Sequence, residues 1–194
     1  MSKKVLSCAA LAIVGVLATS GPSVANEYEA QLRDLFAERL QPWLESPVLI
    51  KAIKNQNADH ADLTESEIND LDQDWRKQAK NGGGPLIDGL LSNEASTYLA
   101  NKKDEMDNLV SEVFVMDNKG LNVASSDVTS DYMQGDEVKW QKTYPQGAGQ
   151  LFVDEIEFDD SSETFQCQVS ATVVDPASGK AIGAITFGIN VDAL

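Results

Sequence analysis

The stretch VFVMDNKGLNVASS, Val113 to Ser126, decides how this chain is read. An apolar strand, Val113 to Met116, meets a tight polar turn at Asp117-Asn118-Lys119-Gly120, and a second strand returns through Leu121, Val123 and Ala124. Polar turn residues between two apolar alternating runs spell a hairpin. The segment that follows, DVTSDYMQGDEVKWQKTY (Asp127 to Tyr144), is dense in Tyr, Trp, Asp and Lys. A hairpin followed by an aromatic and polar cover speaks for ligand binding far more than for catalysis.

Outward from this hairpin the hydrophobic period changes. After about Glu112 it is strand-like, over Glu112–Met116, Leu121–Ser125, Gln150–Phe158, Glu163–Val174 and Lys180–Val191. Turns fall at Asp159-Asp160-Ser161-Ser162 and at Asp175-Pro176-Ala177-Ser178-Gly179. Short links between five strands predict an antiparallel sheet.

Before Glu112 the period is helical. Tyr28, Leu32, Leu35, Phe36, Leu40 and Trp43 share one helix face between Glu27 and Glu45, with Pro42 kinking or tightening its end. A short apolar segment, Val48 to Ile53, precedes a loop at Asn55–Asp62. Thr64 and Glu67 then form a capping box, with Leu63 and Ile68 as its hydrophobic staple. That helix presents Ile68, Leu71 and Trp75 and ends at Asn81-Gly82-Gly83-Gly84. Pro85 starts a further helical region through Leu86, Ile87, Leu90, Leu91, Tyr98 and Leu99. Helices first and strands last define an α+β fold.

The first residues read as a processing signal, residues 1–25. Lys3 and Lys4 precede the apolar run Val5–Leu17, the breaker pair Gly21-Pro22 follows, and Ser23-Val24-Ala25 is a small-x-small cleavage site. Cys8 stands near the start of the apolar run, whereas a lipid-bearing cysteine would follow it. The expected product is one exported, periplasmic domain, residues 26–194, with a mainly helical part (26–111) and a sheet part (112–194). Its 169 residues suffice for a real core. No later segment is apolar enough to insert into a membrane, so a sensor of this kind must report to a separate partner.

Composition excludes some functions. The formal charge is −16, and it becomes −18 when Lys3 and Lys4 are removed with the signal. Such a field disfavours nucleic acid and anionic membrane surfaces. It would attract a cationic ligand or a metal ion, although a solubilising acidic surface is the plainer reading. Cys167 alone remains after processing, which excludes a disulfide framework and a cysteine-based zinc site; its alternating neighbours place it in a buried strand. His60, between Asp59 and Asp62, reads as a surface histidine of a polar loop. No Gly-x-Ser-x-Gly or comparable nucleophile setting accompanies it. Asp154, Glu155, Glu157, Asp159 and Asp160 do not define two differently tuned carboxylates across a cleft, and Asp117–Gly120 lacks the ligand alternation of a calcium loop. No catalytic residue, metal ligand or cofactor is expected.

The residues Val113-Phe114-Val115-Met116-Asp117 with Gly120, Ser126-Asp127, and Thr129-Ser130-Asp131-Tyr132 resemble a Cache (PAS-like, PDC-type) extracellular sensor domain. Gly135-Asp136-Glu137-Val138-Lys139-Trp140 and Gly179-Lys180-Ala181-Ile182-Gly183-Ala184-Ile185 extend the resemblance. Gln56-Asn57 and Asp72-Gln73-Asp74-Trp75-Arg76 are similar to free-standing periplasmic members. The resemblance implies a long N-terminal helix on one face of a five-stranded antiparallel sheet. It also implies a loop and short helix between strands two and three covering the other face, with the ligand beneath. Amino-acid-binding members carry an Arg-x-Trp-Tyr run in the cover. Here Glu137-Val138-Lys139-Trp140-Gln141 lacks both the arginine and the adjacent tyrosine, which speaks against binding an α-amino acid through that motif.

A small-ligand pocket needs apolar walls and a few fixed polar groups. The cover offers Tyr132 and Trp140 as flat faces with polar tips, Asp131 and Asp136 as acceptors, and Lys139 as a charge for a carboxylate. If Glu137–Thr143 is helical, Asp136 can cap it and shares a face with Trp140, while Lys139 faces elsewhere. Trp140 with Asp136 is therefore preferred over Lys139. On the later strands Phe165, Cys167, Val169, Ala171 and Val173 form an apolar face; Gln166, Gln168, Ser170 and Thr172 form a polar one. Gln168, Ser170 and Thr186 are the sheet-side candidates, unless that face is exposed or a dimer surface. The expected partners are a small molecule and a transmembrane sensor kinase or chemoreceptor. A ligand-free interaction module and a homodimer along the first helix remain alternatives.

Overall fold

A computed structural model describes residues 28–159 and 164–194. The signal-peptide reading of residues 1–25 and most of the 159–162 turn lie outside the described residues. The helical half starts with α1, Glu29–Leu35, which widens to a π turn at Phe36–Leu40 and tightens to a 3-10 turn at Gln41–Glu45. Pro42 has no N–H and crowds the preceding turn, so the regular spacing cannot pass through it. Leu32, Phe36, Leu40 and Trp43 are buried along this path.

α2 spans Pro47–Asp59, with Pro47 at its first turn. The loop expected from Asn55 onward is thus corrected: the helix continues for five more residues. Its polar C-terminal half is anchored by tertiary bonds. Gln56 donates to the hairpin turn, and Asn57 donates to the carbonyl of Ile182 at 2.8 Å. α3, Glu65–Lys80, starts at the expected capping box, with both reciprocal bonds between Thr64 and Glu67 present. α4 (Pro85–Leu91) and α5 (Glu94–Asp104) follow, the latter capped by the Asn93 side chain on the Ser96 N–H.

Five strands complete the domain: β1 Val110–Met116, β2 Asn122–Ser125, β3 Leu151–Asp159, β4 Thr164–Val174 and β5 Ala181–Asn190. They form one antiparallel sheet in the order β2-β1-β5-β4-β3. The α+β reading and the five-stranded sheet hold. Alternation sends Val113, Val115, Cys167, Val169, Ala171, Val173, Ile185, Phe187 and Ile189 toward the helices, where they form the main core with Leu32, Leu40, Leu49 and Ile53. Phe187 at the centre meets Trp43 edge-to-face at 5.4 Å. Phe165 is the exception to the expected apolar face. It lies at the sheet's end, 52% exposed, edge-on to Phe158 at 5.3 Å.

The chain between β2 and β3 crosses the other face of the sheet, as expected. It carries the short helix α6 (Val138–Gln141) and a 3-10 turn at Tyr144–Gln146. Phe114, Met116 and Ala184 pack beneath Trp140 and Tyr144. Trp75, Ile87, Leu90, Leu121 and Tyr132 form a separate apolar cluster joining α3 and α4 to the start of the cover. No helix among the described residues is long and apolar enough to cross a membrane.

Candidate functional site

The β1–β2 turn fixes where the cover sits. The wholly buried carboxylate of Asp117 accepts from the N–H groups of Lys119 (2.8 Å) and Leu121 (2.9 Å) with one oxygen. Its other oxygen meets Gln56 Nε2 at 3.0 Å and His60 Nδ1 at 3.1 Å. The expected loop-surface role of His60 is corrected: its ring faces Asp117 from the C-terminal end of α2. The main-chain carbonyl of Asp117 takes the indole N–H of Trp140 at 3.2 Å. Gly120, at φ +83°, lies against Gly135, where an added Cβ would stand 2.3 Å from the Gly135 Cα. Only two glycines let turn and cover approach so closely.

The cover helix turns its residues differently from the expectation. α6 is a single turn with Glu137, not Asp136, at its N-cap, and no side chain caps it. Asp136 is exposed, and its main-chain carbonyl accepts from Gln141. Trp140 is half-buried on Met116 and Phe114 and stacks at a tilt on Tyr144, 5.4 Å away. Lys139 points inward and is only 9% exposed. Its ammonium lies 2.8 Å from Glu137, 3.3 Å from Gln134 Oε1 and 5.2 Å from the Phe114 ring centroid. A carboxylate, an amide and an aromatic face together compensate its removal from water. Asp136 thus stands exposed, Trp140 packs on the sheet, and Lys139 is the one of the three that turns inward.

Asp131 and Tyr132 leave the cover for the helical side. Arg76 on α3 pairs with Asp131 at 2.5 Å and with Asp72 at 2.6 Å, and Asp72 accepts the N–H groups of Tyr132 and Met133. Burial pushes the Asp131 carboxyl above its usual range, with Arg76 opposing the shift. Tyr132 stacks on Trp75 at 5.5 Å, and burial raises its phenol far above the ordinary value. Both residues tie the beginning of the cover to α3.

The sheet side is polar, as alternation predicted. Ser170 and Thr186 are wholly buried and hydrogen-bond each other at 2.9 Å, so their hydroxyls are engaged beneath the cover. Gln166 and Gln168 lie farther along β4, where the cover no longer closes. The Gln166 side chain crosses β5 at Gly188 and accepts the Ser111 hydroxyl at 2.6 Å. An added Cβ at Gly188 would stand 2.7 Å from Gln166 Oε1, so glycine opens that path. Gln168 reaches Glu112 with its Nε2 at 3.4 Å.

Two concavities open here, of about 410 Å³ and 350 Å³. Both are lined by Lys139, Gln166 and Gln168. Asp136, Glu137, Asp154, Glu155 and Glu157 line the first; Glu112, Phe114, Gln134 and the 128–130 segment line the second. The structure brings Lys139 and Gln168 together, with Asp136 at the rim. Trp140, Ser170 and Thr186 stand aside, inside the packed part of the cover, and Asp131 and Tyr132 belong to the α3 contact. Sequence reading passed over Gln166 and Glu112 as site residues, although alternation had placed Gln166 on the polar face. Gly188 was the available clue to the former, because a small residue on the central strand leaves room above it.

This arrangement can hold and orient a small polar molecule. His60 lines a different concavity, with Lys51, Asp59 and Glu94, away from the two hydroxyls. Among the described residues no group of three or more His, Cys, Asp or Glu side chains could hold a metal ion. Cys167 is buried, as its strand position predicted, with its thiol 3.1 Å from the carbonyl of Asp154.

No protein-family model matches the sequence, and no curated protein matches it. Solved structures do, among them sensory and ligand-binding domains of chemoreceptors and of a histidine kinase. The ligand-binding domain of the Campylobacter jejuni chemoreceptor Tlp3, in complex with 4-methylisoleucine, is similar at 18% identity over 78% of this chain and 63% of that chain, with a TM-score of 0.40. The sensor domain of the V. cholerae histidine kinase DctB is similar at 15% identity over 86% of this chain and 58% of that one, TM-score 0.37. The ligand-binding domain of the Pseudomonas fluorescens chemoreceptor CtaA, in complex with L-serine, matches at 12% identity over 85% and 59%, TM-score 0.35. The chain spans less than two thirds of the length of these structures.

Proposed function

We propose that this chain is a non-enzymatic sensory domain that binds a small molecule between its cover and the polar face of β1, β4 and β5. It is exported through the signal read at residues 1–25 and reports the bound state to a separate membrane partner, a sensor kinase or chemoreceptor. One observation carries the reading: Lys139, Gln166 and Gln168 converge between two concavities of about 410 Å³ and 350 Å³. Both volumes fall in the range usual for small-ligand pockets, roughly 300–1,000 Å³. The buried Asp117 gives such a site a route outward, since it bonds the cover through Trp140 and α2 through Gln56 and His60.

A thermal-shift and calorimetric screen of the purified protein against carboxylates, amines, purines and sugars tests this. A ligand at 100 times its Kd should add about 2.7 kcal/mol of stability. Lys139→Met, which keeps the aliphatic packing over Phe114, should alter the affinity of any hit. Absence of any hit, together with a crystal structure in which side chains fill both concavities, would remove the ligand from this account. It would leave a ligand-free interaction module.

A further inference from the structure

Resting on the ligand-binding reading of this cleft, we infer that its ligand is an uncharged molecule with a carboxamide-like edge. Such an edge sets one acceptor beside one N–H donor, as in an amide, a lactam or a urea. Two glutamines of β4 carry the inference. Gln166 and Gln168 stand two residues apart on one face of the strand, about 7 Å from each other along it, and each lines both concavities. In each, the protein holds one amide atom, and the other has no hydrogen-bond partner among the described residues. The Ser111 hydroxyl donates to Gln166 Oε1 at 2.6 Å, so the atom left over is Nε2, a donor. Gln168 is held the opposite way. Its Nε2 donates to the Glu112 carboxylate at 3.4 Å, so the atom left over is Oε1, an acceptor.

Both bridges cross β5 at Gly188, which pairs with Gln168 on one side and with Glu112 on the other. An added Cβ at Gly188 would stand 2.6 Å from Ser111 Oγ, 2.7 Å from Gln166 Oε1 and 2.8 Å from Glu112 Cγ. The missing side chain therefore lets both amides be set before any ligand arrives. Charge speaks against an ionic headgroup. In the second concavity, walled by Phe114, Ala79 and Val128, the charged side chains are Glu112 and Lys139, one of each sign. Lys139 is matched by Glu137 at 2.8 Å, and Glu112 is engaged by Gln168. A carboxylate offers only acceptors, so it suits Gln166 Nε2 but sets lone pair against lone pair at Gln168 Oε1. An ammonium offers only donors, so it suits Gln168 and meets Gln166 Nε2 donor to donor. A carboxamide edge satisfies both, and a site whose polar groups are left unmatched rejects the wrong headgroup.

Calorimetry with three probes that share one ring and differ in headgroup tests the inference: benzamide, benzoate and benzylamine. They are titrated into the purified protein, Gln166→Glu, Gln168→Met, and the control Gln73→Glu, which adds the same charge at an exposed position of α3. A melting curve verifies the fold of each variant. The expected result is benzamide bound about tenfold or more tighter than the other two. Gln166→Glu still accepts the Ser111 hydroxyl but puts an acceptor where the donor stood, so benzylamine should overtake benzamide. Gln168→Met should weaken benzamide about tenfold and decides the matter if Gln166→Glu does not fold. Gln73→Glu should leave the order of the three unchanged. Benzoate or benzylamine bound as tightly as benzamide overturns the inference and leaves the ligand-binding reading in place. So does a benzamide preference that Gln166→Glu and Gln168→Met leave intact. If none of the three binds, the broader screen decides. Hits with an amide, lactam or urea edge that Gln166→Glu weakens support the inference, and other hits overturn it alone. No hit at all brings down both.

Discussion

Trp140 donates its indole N–H to the main-chain carbonyl of Asp117 at 3.2 Å, while Gln56 and His60 hold the Asp117 carboxylate from the other side. One turn residue thus fastens cover, hairpin and α2 together. Asp117→Ala strands the N–H groups of Lys119 and Leu121 in a buried place and removes one of the acceptors of the Gln56 amide, which keeps the carbonyl of Asn122. The expected loss is about 3 kcal/mol or more, read as a lower urea midpoint. Asp117→Asn should cost less, because one oxygen can still serve the two turn N–H groups.

Gly120→Ala attacks the same junction through sterics. The new Cβ would stand 2.3 Å from the Gly135 Cα, at a backbone φ of +83°. Turn and cover must separate to admit it, at roughly 2 kcal/mol or more. Thermal unfolding measures the loss. A variant as stable as the parent would show that the two backbones do not meet.

Trp75 carries the cluster between α3 and the start of the cover. It is wholly buried, stacks on Tyr132 and donates to the Thr129 carbonyl at 2.8 Å. Trp75→Ala should cost about 3–5 kcal/mol. Trp75→Phe should recover most of the packing but leave the Thr129 carbonyl without its donor. Denaturant titrations of the two variants separate the contributions.

Asp175 makes one contribution to stability depend on pH. Ser178 and Lys54, with the Ala177 N–H, hold its carboxyl below the usual carboxylate range. A depressed acid stabilises the fold fully above its unfolded pKa, about 3.9. That contribution is lost as the pH falls through the lower folded value. Asp175→Asn should therefore be less stable than the parent at pH 7. The gap should narrow as the pH is lowered from about 4. Urea midpoints at several pH values check this, and a gap that persists unchanged into strong acid contradicts it.

Much of the fold was legible because its signals are local. The capping box at Thr64 and Glu67, the Asp117–Gly120 turn and the alternation of β4 each depend on residues a few positions apart. Failures came where distant partners decide. The C-terminal half of α2 looked like a loop because Gln56 and Asn57 are polar, yet their bonds to the hairpin and to Ile182 keep them helical. Asp131 and Tyr132 looked like cover residues until Arg76, Asp72 and Trp75, more than 50 positions earlier, claimed them. The preference for Trp140 with Asp136 rested on a longer helix than the single turn that forms. Of the site, its polar floor was readable; which cover residue faces it was not.

The strand order has a consequence for how the molecule is made. β1 and β4 meet only through β5, the fifth strand in the chain. As the chain emerges N-terminus first, the β1–β2 and β3–β4 hairpins can form early, but each then shows a bare inner edge to its surroundings. Such edges invite pairing with other chains. The interval before β5 arrives is therefore the vulnerable moment in the life of this protein, and whatever keeps the nascent chain single must act there.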